Sequence, residues 1–245
     1  MSKITFEVCV DTIEGASNAV NNGADRLELC DALGIGGTTP SAGLMQRAAK
    51  LGKPIYAMIR PRGGDFIFNL EDMDVMLHDI DMCRKYGMAG LVIGITHENG
   101  ALDVKKLKRL IDHAEGMGIT LHRAFDVTPD TSEALEMAID LGIERILTSG
   151  QQETALQGAV KIKSVIEEAA GRISIMPCSK INPPNLENLF KIFTTDEVHS
   201  SCRTMVGSPY TENAPSMAPG DDFSRHITDP VKVRAIRDYL ASLEG

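Results

Sequence analysis

The segment Gly23-Ala24-Asp25-Arg26-Leu27-Glu28-Leu29-Cys30 joins the end of a helical pattern to a short β-rich run, and this joint decides the fold. Glycine commonly ends a helix in the left-handed conformation, so the strand can begin only a few residues later. A glycine also stands before the next β-rich run at Gly87, Gly118 and Gly142. Joints of this kind are typical of βαβ units, whose strands form a parallel sheet.

Eight β-rich runs alternate with helical patterns along the chain. The predicted strands are Ile4–Val10, Arg26–Cys30, Ile55–Arg60, Gly90–Thr96, Thr120–Phe125, Arg145–Thr148, Ile173–Pro177 and Glu197–Cys202. The predicted helices are Ile13–Asn21, Ala42–Leu51, Glu71–Tyr86, Val104–Ala114, Thr131–Leu141, Leu156–Ala169, Pro184–Phe193 and a last one that begins at Asp229-Pro230. Eight units predict a closed α/β barrel, the (β/α)8 or TIM barrel, because a doubly wound sheet more often has five or six strands.

The length of 245 residues fits a single TIM-barrel domain over residues 1–245, since such barrels use roughly 250 residues. No linker rich in Pro, Gly or Ser interrupts the chain. The one long polar loop, Ser208–Arg225, follows the eighth predicted strand, and we expect it to cover the mouth of the barrel.

Composition excludes several classes of protein. Hydrophobic residues make up 43% of the chain, enough for a sizeable core, and the formal net charge is −9. Nucleic acid and anionic membranes are not expected partners, because both need a basic surface. Five cysteines are an odd, sparse set rather than a disulfide framework, and the N-terminus lacks the apolar stretch of a signal peptide. We therefore expect a cytoplasmic protein.

Polar residues gather at the predicted strand ends, where TIM barrels place their active sites. Glu7-Val8-Cys9 and Glu28-Leu29-Cys30 repeat one acid-x-thiol pattern, and the period of two points both acids and both thiols into the barrel. Similar residues end four further strands: Arg60 and Arg62, His122 and Arg123, Ser149, and His199.

Buried charges need partners, and we expect Arg60, His122 and His199 to supply them to Glu7 and Glu28. For any one of these residues, the alternative is a salt bridge that only fills the barrel. Six of the eight strand ends carry such residues. The group as a whole therefore favours a functional site, since Val, Ile and Leu would fill a barrel without burying charge.

An anionic ligand is one candidate for this site. Arg60, Arg62 and Arg123 are suited to binding a carboxylate or phosphate in bidentate fashion. The glycine-rich segment Gly34–Ser41 lacks both the P-loop ending and the dinucleotide-binding spacing, so no nucleotide cofactor is expected. These glycines serve a tight turn equally well.

A soft metal ion is the other candidate. Cys9 and Cys30 lie on adjacent parallel strands, roughly 5 Å apart, and two thiolates at that separation suit Cu(I). No CxxC or HxxxH spacing supports a structural zinc site. Buried cysteine is also common as a small apolar residue, which is the alternative role for each thiol.

The motifs together resemble one known family. They are Glu7-Val8-Cys9, Gly23–Cys30, Gly36–Ser41, Ile59–Phe66, Leu121–Asp126, Ile146–Gly150 and Val198–Ser201. In this order they resemble the CutC family, which is named for copper homeostasis. The resemblance implies a cytoplasmic TIM barrel, a homo-oligomer, and Cu(I) binding through Cys30 together with Cys9.

One segment departs from the family pattern. After the seventh strand the family typically shows Met-Pro-Gly-Gly-Gly or Met-Ala-Gly-Ala-Gly, whereas this chain has Met176-Pro177-Cys178-Ser179-Lys180. Glycines in that loop would let backbone N–H groups approach an anion. In their place, Lys180 offers a side-chain cation and Cys178 a third thiol.

Two functions are therefore predicted. The first is a copper homeostasis protein that binds Cu(I) through Cys9 and Cys30. The alternative is a barrel enzyme that acts on a small anionic, sugar-like or phosphate-like molecule by general acid/base chemistry. In that case Arg60, Arg62, Arg123, Ser149 and Lys180 would bind the substrate. His122 or His199 would be the general acid or base, and Glu7 or Glu28 would orient or share the proton.

Overall fold

The computed structural model describes residues 3–207 and 223–244. Eight parallel strands form its central sheet, in the spatial order β7-β6-β5-β4-β3-β2-β1-β8. They are β1 (Thr5–Val10), β2 (Arg26–Leu29), β3 (Ile55–Met58), β4 (Gly90–Ile93), β5 (Gly118–Leu121), β6 (Arg145–Thr148), β7 (Ser174–Pro177) and β8 (Glu197–Ser200). The predicted (β/α)8 barrel is confirmed.

The helices alternate with the strands. They are α1 (Ile13–Asn21), α2 (Ala42–Ala48), α3 (Leu70–Lys85), α4 (Val104–His113), α5 (Thr131–Asp140), α6 (Ala159–Ala169), α7 (Pro183–Phe190) and α8 (Pro230–Leu243). The predicted start of α8 is confirmed, since the Asp229 side chain accepts a hydrogen bond from Val231 N and Pro230 occupies the first turn. None of the described helices is both long and apolar enough to cross a bilayer.

Several sequence-based boundaries were wrong by two or three residues, as at the ends of β3, β4 and α2, and two further errors lie around β5. Gly118 belongs to β5, and the left-handed glycine that precedes this strand is Gly116, with φ +85°. The predicted strand Thr120–Phe125 ends early, because residues Arg123–Val127 form a 3₁₀ turn. That turn brings the side chains after β5 over the barrel mouth.

The barrel closes between β7 and β8 by side chains. Ladder hydrogen bonds join the seven other neighbouring pairs of described strands, but none joins β7 to β8. Thr195 Oγ1 donates to the Ile175 carbonyl at 2.7 Å, and Ser200 Oγ donates to the Ile181 carbonyl at 2.7 Å. Two hydroxyl groups thus bridge this seam near its two ends.

A short hairpin follows the barrel. Strands β9 (Arg203–Val206) and β10 (Arg225–Thr228) pair antiparallel, with Arg225 opposite Val206. The sequence predicted a loop over Ser208–Arg225, and Arg225 instead begins β10. Positions 208–222 of that predicted loop lie outside the described residues.

Alternation along the strands separates two cores. Phe6, Val8 and Leu27 belong to the main apolar cluster, which lies between the barrel and its helices. The alternate positions face the barrel interior, and the register places Glu7 beside both Arg26 and His199. The barrel interior is therefore strongly polar on β1, β2 and β8.

Candidate functional site

A cavity of about 450 Å³ opens at the carboxyl ends of the strands. Four residues of the predicted site do not line it, namely Glu7, Cys30, Arg62 and Ser149. Seven do line it, namely Cys9, Glu28, Arg60, His122, Arg123, Lys180 and His199. The structure thus brings most of the predicted residues to one place.

Glu7 lies below the cavity and is completely buried. Its carboxylate accepts hydrogen bonds from Arg26 Nε and from the His199 ring, the latter at 2.8 Å. Burial raises the pKa of Glu7, but the charges of Arg26 and His199 outweigh burial and hold the pKa well below 4.5. Glu7 is therefore ionised and orients His199.

His199 lies between two carboxylates. Its Nδ1 contacts Glu7, and its Nε2 lies 3.8 Å from Glu28 Oε2. Burial lowers the pKa of His199, but Cys9, Glu28 and Glu7 together raise it well above 6.5. The ring is consequently an imidazolium at neutral pH, with a proton available to the cavity.

The Glu28 carboxylate has a hydrogen-bond partner for only one of its two oxygens. Oε2 accepts from the Cys30 thiol at 3.5 Å, whereas the buried Oε1 has no hydrogen-bond partner. Burial first, and then the charge of Glu7, raise the pKa of Glu28, although His199 opposes them. A carboxylate with a raised pKa is suited to accepting a proton.

Cys9, Glu28 and His199 form a group with metal-ligating potential, since one ligand atom from each lies within 4.8 Å of the others. Among the described residues this is the only such group, and Cys30 is not part of it. Burial raises the pKa of the Cys9 thiol, and it raises that of Cys178 to about 12. These thiols are therefore protonated at neutral pH, and a metal would have to displace their protons.

Arg60 does not pair with either glutamate, which corrects the sequence-based expectation. Its Nη1 donates to the Ile35 and Gly37 carbonyls at 3.1 and 2.9 Å. Its Nη2 donates to the Gly64 carbonyl at 2.7 Å. Backbone carbonyls of the two loops around the mouth thus accept hydrogen bonds from both terminal nitrogens of the guanidinium, but the buried Nε has no partner.

His122 does not supply a cation to the glutamates either. Its Nδ1 accepts a hydrogen bond from Ala124 N at 3.0 Å. Burial and the charge of Arg60 lower the pKa of His122 to about 3. The ring is therefore neutral, and its buried Nε2 has no hydrogen-bond partner.

Arg123 and Ser149 form a network around Asp126. Arg123 Nε and Ser149 Oγ donate to Asp126 Oδ2 at 2.8 and 2.9 Å. Arg123 Nη2 also donates to Ser149 Oγ at 2.8 Å. Arg123 reaches the cavity from this network, whereas Ser149 supports it from behind.

The two remaining predicted cations differ in position. Arg62 points away from the cavity, to Asp65 at 2.9 Å and the Ile67 carbonyl at 2.6 Å. Lys180 lies at the rim, 61% exposed, and pairs with Glu153. In the loop that departs from the family pattern, Ser179 and Lys180 have φ values of +76° and +55°. Both keep the left-handed conformation that glycine adopts most easily.

Sequence reasoning missed three charged residues beneath the cavity, Arg26, Arg145 and Glu197. With Glu7, which it had predicted, they form a set of ion pairs that we term the paired layer. Glu197 bridges the two arginines, because its carboxylate accepts hydrogen bonds from Arg26 Nη2 and, at 3.0 Å, from Arg145 Nε. Both guanidinium groups lie over the Tyr56 ring. The period of two that points Glu28 inward also points Arg26 inward, so this signal was present in the sequence.

Arg203 was also missed. Its side chain lines the cavity from β9, and its buried Nε has no hydrogen-bond partner. It belongs to a second set, which we term the cavity wall: Glu28, Arg60, His122 and Arg203. No motif in the sequence marked Arg203, because it follows the last predicted strand of the barrel.

Fold and site define a class of protein: a parallel (β/α)8 barrel with a polar cavity at the carboxyl ends of its strands. The family model for the CutC family matches residues 4–204, and the chain belongs to the CutC family. A CutC family protein of Rhizobium meliloti is 49% identical over 250 residues, which cover 98% of this chain and 97% of the relative. One of Agrobacterium fabrum is 46% identical over 238 residues, covering 97% and 94%.

Solved structures agree. CutC from Streptococcus agalactiae, described as a candidate copper homeostasis protein, superposes with a TM-score of 0.77 at 30% identity, covering 81% of this chain and 98% of that one. KGPDC from Streptococcus mutans superposes with a TM-score of 0.61 at 14% identity, over 100% of both chains. The latter likeness shows the barrel fold alone.

Proposed function

We propose that this protein is an enzyme that binds a small anionic molecule in the cavity and transfers protons through Glu28 and His199. One observation carries the proposal. The cavity is lined both by an acid and a base, His199 and Glu28, and by four cationic side chains, Arg60, Arg123, Lys180 and Arg203. Titratable groups of both kinds in one concave pocket are typical of a site for a small molecule.

The cationic side chains of the lining favour an anion. The guanidinium groups of Arg60 and Arg203 have donors and no acceptor, so they suit an oxygen anion and repel a cation. Arg123 and Lys180 add positive charge around the same cavity. A volume of about 450 Å³ also lies within the usual range for small-molecule sites, roughly 300–1,000 Å³, whereas a bare ion needs no such space.

Proton transfer follows from the two glutamates and His199. Glu7 accepts from Nδ1 and so directs Nε2 of the imidazolium toward Glu28. His199 can donate its proton at Nε2, while the Glu28 carboxylate can take one. The two groups thus form an acid and a base that face the same cavity.

Titration calorimetry with glycerol 3-phosphate tests anion binding. Arg203→Met should weaken binding about tenfold or more, because a hydrogen bond to a charged group contributes about 1.5–3 kcal/mol. Arg62→Met is the matched control, since it removes an arginine that lies near the mouth but outside the cavity. Absence of binding, or equal losses in both variants, would contradict the proposal.

Cu(I) binding is the second candidate function, favoured by the group of Cys9, Glu28 and His199. Thiolate sulfur and imidazole nitrogen both suit Cu(I), whereas the carboxylate of Glu28 is a hard ligand that Cu(I) does not prefer. Cys9 and His199 would both have to lose a proton, so binding should strengthen as pH rises.

Anaerobic Cu(I) titration separates the two cysteines. If Cys9 and His199 hold the ion, Cys9→Ser should reduce affinity sharply and Cys30→Ala only slightly. The sequence-based assignment to Cys30 expects a sharp loss in Cys30→Ala. Unchanged affinity in both variants would exclude this function.

We further propose one domain over residues 1–245, a cytoplasmic location and a homo-oligomeric assembly. All five cysteines are free and buried, which suits a reducing compartment. Light scattering of the purified chain measures the oligomeric state directly.

A further inference from the structure

We propose that the loops after β5 and β7 form a phosphate subsite of the cavity. There the Arg123 guanidinium and the backbone N–H groups of Ser179 and Lys180 bind the phosphate group of a small phosphate ester. The subsite rests on the proposed function, because it names the class of anion that the cavity binds. All three residues line the cavity, and the side chains of Arg123 and Lys180 are 43% and 61% exposed. A ligand in the cavity can therefore reach this part of the lining.

Arg123 has one terminal nitrogen free for a ligand. Its Nε donates to Asp126 Oδ2 at 2.8 Å, and its Nη2 donates to Ser149 Oγ at 2.8 Å and to the Gln152 carbonyl at 3.2 Å. Among the described residues Nη1 has no hydrogen-bond partner, and unlike Arg60 Nε it is not buried. Its two N–H bonds are charge-assisted donors, which suit the oxygens of an anion.

The Asp126 carboxylate fixes the guanidinium in this orientation. Besides Arg123 Nε, it accepts hydrogen bonds from Thr148 Oγ1 at 2.6 Å and from the backbone N–H groups of Ser149 and Gln151 at 3.0 and 3.1 Å. A carboxylate held by so many donors keeps its place, and so does the arginine bound to it. Little side-chain entropy is therefore lost when a ligand binds to Arg123.

The loop after β7 directs a backbone N–H group to the same cavity. The Ser179 carbonyl accepts a hydrogen bond from Ala155 N at 3.1 Å. Ala155 does not line the cavity, so this carbonyl points away from the lining. The described part of the chain has no cis peptide bond, and in a trans peptide the N–H lies opposite to the carbonyl. The N–H of Lys180 therefore points toward the cavity.

The left-handed backbone at Ser179 aligns a second N–H group with the first. Its φ is +76°, and two peptide units joined by a residue in a helical conformation lie roughly parallel, as in one turn of a helix. The N–H groups of Ser179 and Lys180 thus point the same way, and no acceptor within residues 3–207 and 223–244 binds either of them. Successive unpaired N–H groups in a turn form a concave anion-binding nest.

A short chain of hydrogen bonds joins Arg123 to this loop. Thr148 Oγ1 donates to Asp126, and the Thr148 carbonyl accepts from Cys178 N at 2.9 Å, directly before Ser179. Donors from two neighbouring loops thus face one part of the cavity. A phosphate group offers three terminal oxygens in a tetrahedral arrangement, whereas a carboxylate offers two in one plane. Phosphate is therefore the anion that can bind to both loops at once.

Titration calorimetry with inorganic phosphate and with acetate tests the subsite. We expect the wild-type protein to bind phosphate at least about tenfold more tightly than acetate, and Arg123→Met to lose about tenfold or more of the phosphate affinity. Lys180→Gly removes an exposed side chain but keeps the N–H group, so its loss should stay below about fivefold. Arg62→Met, outside the cavity, is the matched control. Equal losses in Arg123→Met and Lys180→Gly would overturn the role of the backbone.

Backbone amide NMR of the wild-type protein gives a second measurement that needs no variant. On addition of phosphate, the amide proton signals of Ser179 and Lys180 should move downfield and saturate together. Glycerol 3-phosphate should move them at lower concentration, since its carbon atoms also occupy the cavity. The reverse order would overturn the phosphate ester as the ligand class.

The two proposals fail in different ways. If glycerol 3-phosphate binds and Arg203→Met weakens it, but the signals of Ser179 and Lys180 do not move, the phosphate subsite is wrong and the proposed function stands. Absence of binding by glycerol 3-phosphate, inorganic phosphate and acetate would overturn the proposed function as well.

Discussion

The paired layer and the cavity wall are two sets of polar side chains in one barrel, with the paired layer beneath the cavity, and they differ in how their charges are satisfied. In the paired layer each carboxylate meets an arginine, and Glu197 meets two. In the cavity wall each of the four residues retains a buried polar atom without a partner. Two residues along β2, from Arg26 to Glu28, are enough to pass from one layer to the other.

This difference separates structure from function. A buried polar atom without a partner costs about 1–3 kcal/mol, so a barrel evolved for stability alone would not concentrate four of them in one cavity. Charges that are fully paired need nothing further. The paired layer therefore supports the barrel, whereas the proposed function gives the residues of the cavity wall the role of binding a ligand.

The largest expected effect comes from breaking the paired layer. Glu197→Gln leaves Arg26 and Arg145 close together without their shared counter-ion, and it should lower the free energy of unfolding by about 3–5 kcal/mol. Glu28→Gln is the matched control in the cavity wall. It removes a desolvated charge, so stability should change little or increase. Urea unfolding measures the free energy of unfolding of both variants. Equal losses of stability would contradict the distinction between the paired layer and the cavity wall.

A smaller effect should follow from crowding the cavity wall. Gly94→Ala places a Cβ against the His122 ring and within 2.7 Å of the Ala124 Cβ, which should lower stability by about 1–3 kcal/mol. Gly43→Ala lies in α2, where the added Cβ would meet no atom closer than 3.9 Å. This control should be stabilising by up to about 1 kcal/mol. Thermal unfolding of both variants checks the expectation, and an unperturbed Gly94→Ala would show that the ring is free to move.

The smallest expected effect concerns the pH dependence of stability. Because the folded pKa of Glu7 lies below its ordinary value of 4.5, the unfolded chain binds more protons at acid pH. The stability that Glu7 contributes is complete above 4.5 and is lost as pH falls toward the folded value. Between pH 4.5 and 3.5 the wild type should lose about 1 kcal/mol more than Glu7→Gln. If the free energy of unfolding falls equally with pH in the two proteins, the ionised Glu7 carboxylate does not stabilise the folded chain.

Much of this could be predicted from the sequence, for a local reason. Alternation along β1 and β2 places Glu7, Cys9 and Glu28 inside the barrel, since side chains of a strand point alternately to its two faces. The same rule applied to Arg26 would have revealed the paired layer. The errors concern partners, as with Arg60, which was expected to reach the glutamates and instead holds loop carbonyls.

Those partners could not be predicted from local pattern, because they depend on contacts across the barrel. His122 accepts its hydrogen bond from a turn that the sequence suggested was strand, and it lies against Gly94, which directly follows the neighbouring strand β4. Arg203 enters the cavity from a hairpin that no motif marked. Each contact joins residues that are distant in sequence or that share an irregular segment.

The sequence by itself determined the barrel, the family and the set of polar residues at the strand ends, because period, joints and motifs are local properties of the chain. Only the tertiary structure decided which of those residues pair with each other and which face the cavity unpaired. The physical reason is that a buried charge is satisfied by whatever the strand register and the closing loops bring within hydrogen-bond distance.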